Sequence, residues 1–156
     1  MNDEAKTATK AIGELLIPIG FSRKGRTWIR RLDHVVQVVE LQRSNWGPQD
    51  YLNLGLWLTS VVEPPKVVRE KDCHIRIRVS EVLPVHAASA LERALNYEGA
   101  LAEEDRSLLI VGALREGLIP VLQQLSSEPG LRSAKREGMF ARGFVTKSAK
   151  ESLNEF

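Results

Sequence analysis

Between Tyr51 and Thr59 the chain alternates without a slip: Leu52, Leu54, Leu56 and Leu58 fall on one side, and Asn53, Gly55, Trp57 and Thr59 on the other. A period of two marks a β-strand with one apolar face. The leucine side then needs a covering layer and the strand needs neighbours, so the remaining sequence is read for both.

Candidate neighbours lie on either side. Residues 26–32 are extended by composition, Asp33 and His34 make a tight turn, and Val35 to Gln42 is rich in β-branched residues, which together predict a hairpin. Downstream, Pro64 and Pro65 end the leucine segment, which the alternation carries over 51–62, and a charged linker, Lys66 to Asp72, follows. Ile75, Ile77 and Val79 then alternate with His74, Arg76, Arg78 and Ser80, predicting a further strand over 74–81 with a strongly polar face.

Helical spacing supplies the cover. Ala8, Ile12, Leu15 and Leu16 recur at helical intervals within 4–17, Asp3 and Glu4 suit a helix start, and Pro18 and Gly20 end it. Beyond Pro84, Ala87 to Asn96 is a short helix and Glu103 to Ser126 a long one, with Gly117 and Pro120 predicting a kink or break near Glu116. Two weaker helices are expected around 130–137 and 147–154. Strands first and helices later describe an α+β fold: an antiparallel sheet of four to five strands with helices packed on its leucine face. The 156 residues divide into a single α+β domain over 1–130 and a basic, weakly helical C-terminal extension over 131–156.

With 43% hydrophobic residues the chain can bury a core without staples, and the single Cys73 forms no internal disulfide, which fits a reducing compartment. The N-terminus carries acids where a secretory signal would be basic, and the longest later apolar stretch, Leu108 to Leu114, is far short of the ~20 residues of a membrane span. A soluble, cytoplasmic protein with no membrane association is expected. The net charge of +2 points to no partner, but its distribution is uneven. Arg23, Lys24, Arg26, Arg30 and Arg31 crowd 22–31, and Arg132, Lys135, Arg136, Arg142, Lys147 and Lys150 crowd 131–150, leaving the rest of the chain net acidic.

Several chemistries fail on context. Residues 20–27, Gly-Phe-Ser-Arg-Lys-Gly-Arg-Thr, approach a phosphate-binding loop, but they follow a helix and enter a strand where that loop needs the reverse, and Arg26 stands where it needs lysine. Cys73 and His74 are neighbours on an extended segment, so they point to opposite faces and form neither a chelate nor a nucleophile–base pair. His34 and His86 have no partner at ligand spacing, so neither metal nor cofactor is expected. No catalytic residue is marked, which leans the reading away from an enzyme.

What remains is the polar side of the sheet. If the leucines face the helices, the other face presents Gln42, Asn53, Trp57, His74, Arg76 and Arg78, joined by Tyr51, Thr59, Val38 and Glu40. Aromatic, guanidinium and amide groups on one face suit stacking and bidentate hydrogen bonding. An ordinary solvated face, partly covered by the C-terminal tail and with the arginines paired to acids such as Glu40, would look the same. Gly55 marks a bulge or a close backbone approach.

Four stretches also carry a resemblance. Residues 18–28 (Pro-Ile-Gly-Phe-Ser-Arg-Lys-Gly-Arg-Thr-Trp), 38–44 (Val-Val-Glu-Leu-Gln-Arg-Ser), 52–55 (Leu-Asn-Leu-Gly) and 72–78 (Asp-Cys-His-Ile-Arg-Ile-Arg) resemble, in order and spacing, the bacterial domain of unknown function 4304 family. The Gly-Phe-basic-basic-Gly and Cys-His-x-Arg-x-Arg elements are the more specific parts, and Pro120 in the late helix is similar too. The resemblance covers roughly residues 5–130 and departs after Pro84, where Ala87-Ala88-Ser89-Ala90 stands in place of tryptophans frequent in the family. It implies a small bacterial domain and assigns no catalytic residue. Taken together, the expectation is a non-catalytic binding or protein-interaction module that takes a protein partner or a second copy of itself on the polar sheet face. The alternative is a nucleic-acid-associated protein using segments 22–31 and 131–150.

Overall fold

The computed structural model describes residues 2–154. Helix α1 (Asp3–Leu16) begins on Asn2, whose side-chain oxygen accepts the Ala5 N–H, and ends in a 3-10 turn (Ile17–Ile19). The strands follow as β1 (Ser22–Lys24), β2 (Thr27–Arg31), β3 (Val35–Arg43), β4 (Asp50–Leu58) and β5 (Ile75–Arg78). Helices α2 (Val85–Leu95), α3 (Glu103–Ala113), α4 (Ile119–Gln124) and α5 (Glu128–Arg136) come next, then β6 (Phe144–Val145) and α6 (Lys147–Asn154).

All strands join one antiparallel sheet in sequence order, β1-β2-β3-β4-β5-β6. The sheet has six strands rather than four to five. The two extra strands are edge pieces of three and two residues, too short to carry a period. The polar alternation expected over 74–81 is also cut short: β5 stops at Arg78, and Val79–Glu81 turn into a 3-10 helix.

Leu52, Leu54, Leu56, Leu58, Ile75 and Ile77 all point inward and are buried with Ile12, Leu16, Leu91, Ile110, Leu118 and Leu122 from the helices. That burial holds the helical layer to the sheet, each enclosed aliphatic side chain contributing about 1.5–3 kcal/mol. The kink expected near Glu116 is present as a π-helical turn (Leu114–Leu118) between α3 and α4. Pro120 has no N–H to give to the carbonyl four residues back, and its ring would strike it; the wider turn removes both conflicts.

One polar group belongs to this inner side. Gln37 is fully buried, donates to the Leu122 carbonyl (2.9 Å) and accepts from Arg30 (2.8 Å), tying the C-terminal end of α4 to the sheet. Residues 131–154 share the same core through Leu131, Ala134, Phe140, Ala149 and Leu153. Among the described residues no single helix is long and apolar enough to cross a membrane.

Candidate functional site

The register orders the outer face into rows across the strands. Val36 lies opposite Trp57; Val38, Gly55, Arg76 and Phe144 form a second row; Glu40, Asn53 and Arg78 a third; Gln42 and Tyr51 a fourth. The first rows are apolar and the later ones polar. The connection between β4 and β5 folds back over the first rows.

There, Val68 and Cys73 are buried against Val36 and Val38, with Ile29 and Trp57 alongside, forming a second small core. Gly55 permits it: a Cβ at that position would lie 2.8 Å from Cys73 Sγ and 3.2 Å from the Glu70 Cα. The close approach read from the sequence is therefore made by the 3-10 turn Glu70–Asp72. Burial, with Glu70 adding like charge, pushes the Cys73 thiol up to about 12. Such a thiol stays protonated at neutral pH and is no nucleophile.

Trp57 and His74 serve this covered end. Trp57 is half-buried, its Nε1 donates to the Val62 carbonyl (2.9 Å), and its ring lies 4.5 Å from that of His74. His74 is buried, and its Nδ1 accepts the Leu58 N–H at 2.9 Å, replacing the strand partner that β5 does not extend to provide. Accepting at Nδ1 requires the neutral ring with its proton on Nε2, and burial lowers the imidazole pKa in the same direction.

The other four sequence-derived residues, Gln42, Asn53, Arg76 and Arg78, line one open depression of about 480 Å³, together with Glu70, Ile77, Arg142, Gly143 and Phe144. Arg76 Nε donates to Glu70 Oε1 (3.3 Å), so the turn admitted by Gly55 supplies the partner of this arginine. Arg78 has its guanidinium 3.7 Å from the centre of the Tyr51 ring and donates to Asn53 Oδ1 (3.4 Å). Asn53 in turn donates to Gln42 Oε1 (2.6 Å), and Gln49 donates to the Tyr51 hydroxyl (2.8 Å). Glu40 is paired with Asn53 in the register, and its carboxyl pKa is raised by burial and by Glu70. Of the pairings anticipated for the arginines, the one to Glu40 is replaced by Glu70 for Arg76 and by an aromatic face for Arg78.

The far wall comes from the segment before β6. A Cβ on Gly143 would fall 2.7 Å from the Arg76 carbonyl oxygen, so glycine lets this segment lie directly on β5. It brings Arg142 to Glu81 (3.5 Å) and leaves the Phe144 ring 55% exposed, 5.9 Å from the Arg76 guanidinium. Sequence reasoning missed Glu70 and Phe144 and placed Arg142 only in the basic segment 131–150: each lies in a stretch without period, and only Gly55 hinted at what packs on β4.

A second polar cluster sits at the end of the sheet, where Arg26 and Asp50 form an ion pair (2.6 Å) and the Tyr97 hydroxyl donates to the same carboxylate (2.7 Å). Burial, and then the bonded Asp50, raise the Tyr97 pKa. Asp50 is 5% exposed with both partners bonded to its carboxylate, so this cluster is a clamp between β4 and the Tyr97 loop. Among the described residues no group of three or more His, Cys, Asp or Glu side chains could hold a metal ion.

No curated protein matches this chain, and no solved structure does. A family model described as Domain of unknown function (DUF4304) matches residues 12–124, a span that runs from the C-terminal end of α1 to the end of α4 and takes in every residue of the depression except its far wall. The chain belongs to that family.

Proposed function

We propose that the protein is a non-catalytic binding module that engages a protein partner, or a second copy of itself, through the open end of the outer sheet face. The observation that carries this reading is the fixing of Arg76 and Arg78 beside an open depression: one guanidinium is held by Glu70, the other by Tyr51 and Asn53. Side chains already ordered in the free protein lose little entropy on binding, which favours recognition. The neutral imidazole of His74 and the protonated thiol of Cys73 are both engaged in structure, so neither supports a catalytic role for this face.

Nucleic acid is the weaker reading. Segment 22–31 forms β1 and β2 at one edge of the sheet, and segment 131–150 contributes β6 at the other, with three strands between them. A single polyanion track would have to cross that sheet.

The test uses the full chain as bait. Substituting Gln42→Ala, Arg76→Gln and Arg78→Gln together should abolish partner capture and any dimer seen by sedimentation, while thermal unfolding stays within a few degrees of the parent. Unchanged capture and unchanged sedimentation would reject the site. Trp57 is left intact in this design because its loss would disturb the covered end.

A further inference from the structure

The depression is richer in hydrogen-bond donors than in acceptors, and this deepens the binding reading on which it rests. Gln42 Oε1, Asn53 Oδ1 and Glu70 Oε1 each already accept a bond from Asn53, Arg78 and Arg76 respectively. The Gln42 amide N–H groups, most of the Arg78 fork and the terminal nitrogens of Arg76 have no partner among the described residues. Arg78 also has no carboxylate within ion-pair distance there; a ring face and an amide oxygen are its partners. A ligand that satisfies these groups must bring acceptors and negative charge.

From this we infer that the site binds an extended acidic segment of a protein, with carboxylates seated on Arg78 and Arg76. Charge distribution favours carboxylates over phosphate: Glu70 and Glu40 act on Arg76 and Glu81 holds Arg142, so a phosphate would concentrate two negative charges at one guanidinium, whereas an acidic segment brings a single charge to each of Arg76 and Arg78. Spacing selects an extended segment. Arg76 and Arg78 lie two residues apart on the same strand face, roughly 6.5–7 Å, which is the interval between alternate side chains of an extended ligand. The exposed Phe144 ring beside Arg76 offers an apolar surface to the rest of that segment.

The experiment is a titration of the isotopically labelled full chain, following the arginine Nε–H and the Asn and Gln side-chain amide signals, with hexaglutamate, inorganic phosphate and oligothymidylate as separate probes. Hexaglutamate should shift the Arg78, Arg76 and Gln42 signals saturably, Arg78→Gln should weaken that binding about tenfold, and Leu108→Ala, an exposed position on α3 in the helical layer across the sheet, should leave it unchanged. Stronger shifts with phosphate or oligothymidylate, or hexaglutamate shifts scattered over the basic segments and indifferent to Arg78→Gln, would overturn the inference. Should hexaglutamate shift nothing while the Gln42, Arg76 and Arg78 substitutions still abolish partner capture, the acidic class fails and the binding module stands. If capture is also unaffected, both fail.

Discussion

The two ends of the outer sheet face are built on the same strands and meet opposite fates. At one end Val36, Val38 and Trp57 are closed over by Val68, Cys73 and the turn at Glu70; at the other, Gln42, Asn53 and Arg78 face a depression of about 480 Å³. The difference follows from where apolar residues stop along β3 and from the missing side chain at Gly55, which lets the covering segment settle against β4. Covering pays where valines can be enclosed; where amides and guanidiniums stand, enclosure would strand donors and charges at several kcal/mol each. Stability should therefore concentrate at one end and recognition at the other.

Gly55→Val tests this division most severely. Its side chain would strike Cys73 and the Glu70 backbone, and a loss of about 3 kcal/mol is expected in urea unfolding, with partner binding weakened because Glu70 is displaced from Arg76. A loss below about 0.5 kcal/mol would mean the covering segment is not seated by this contact. Trp57→Ala should cost about 2 kcal/mol through lost contacts and the lost bond to the Val62 carbonyl. An unfolding midpoint equal to the parent's would place the indole outside the second core.

The covered end also carries a pH signature. The folded-state pKa of His74 lies below the ordinary value of 6.5, so the unfolded chain takes up a proton before the native one does. Its contribution to stability is complete above 6.5 and is lost as pH falls from there towards the folded pKa, when a protonated Nδ1 can no longer accept the Leu58 N–H. Unfolding midpoints measured between about pH 7.5 and 5.5 should decline, and His74→Gln should flatten that part of the curve. An unchanged slope in the variant would assign the dependence elsewhere.

At the open end the effects on stability are small. Arg78→Gln should cost less than about 1 kcal/mol, the worth of an exposed stack on Tyr51. The smallest change expected is a gain: Glu40→Gln removes a carboxylate whose raised pKa marks its charge as unfavourable in the native state, and should stabilise by about 0.5 kcal/mol or less at neutral pH. Destabilisation by Glu40→Gln would indicate that Arg76 depends on Glu40 as well as Glu70.

The legible parts of this molecule are those with a period. Leu52 to Leu58 and Ile75 to Ile77 fix one face of two strands, Pro120 announces the π-helical turn, and the polar partners of those leucines identify Gln42, Asn53, Arg76 and Arg78. The illegible parts are contacts made by aperiodic chain. Nothing local to Glu70 or Phe144 says that a loop returns over β4 or that a two-residue strand closes beside β5. Trp57 and His74 share the polar face by parity, yet whether that face is covered depends on residues ten or more positions away, such as Val68 for Trp57. Parity assigns a face, and only tertiary contact decides its exposure.

The central claim is that structure and recognition are separated along one sheet face, and the double variant Arg76→Gln, Arg78→Gln tests it most directly when unfolding free energy and partner capture are measured on the same preparation. The account predicts stability within about 1 kcal/mol of the parent and capture abolished. A variant that unfolds easily while still capturing its partner would contradict it.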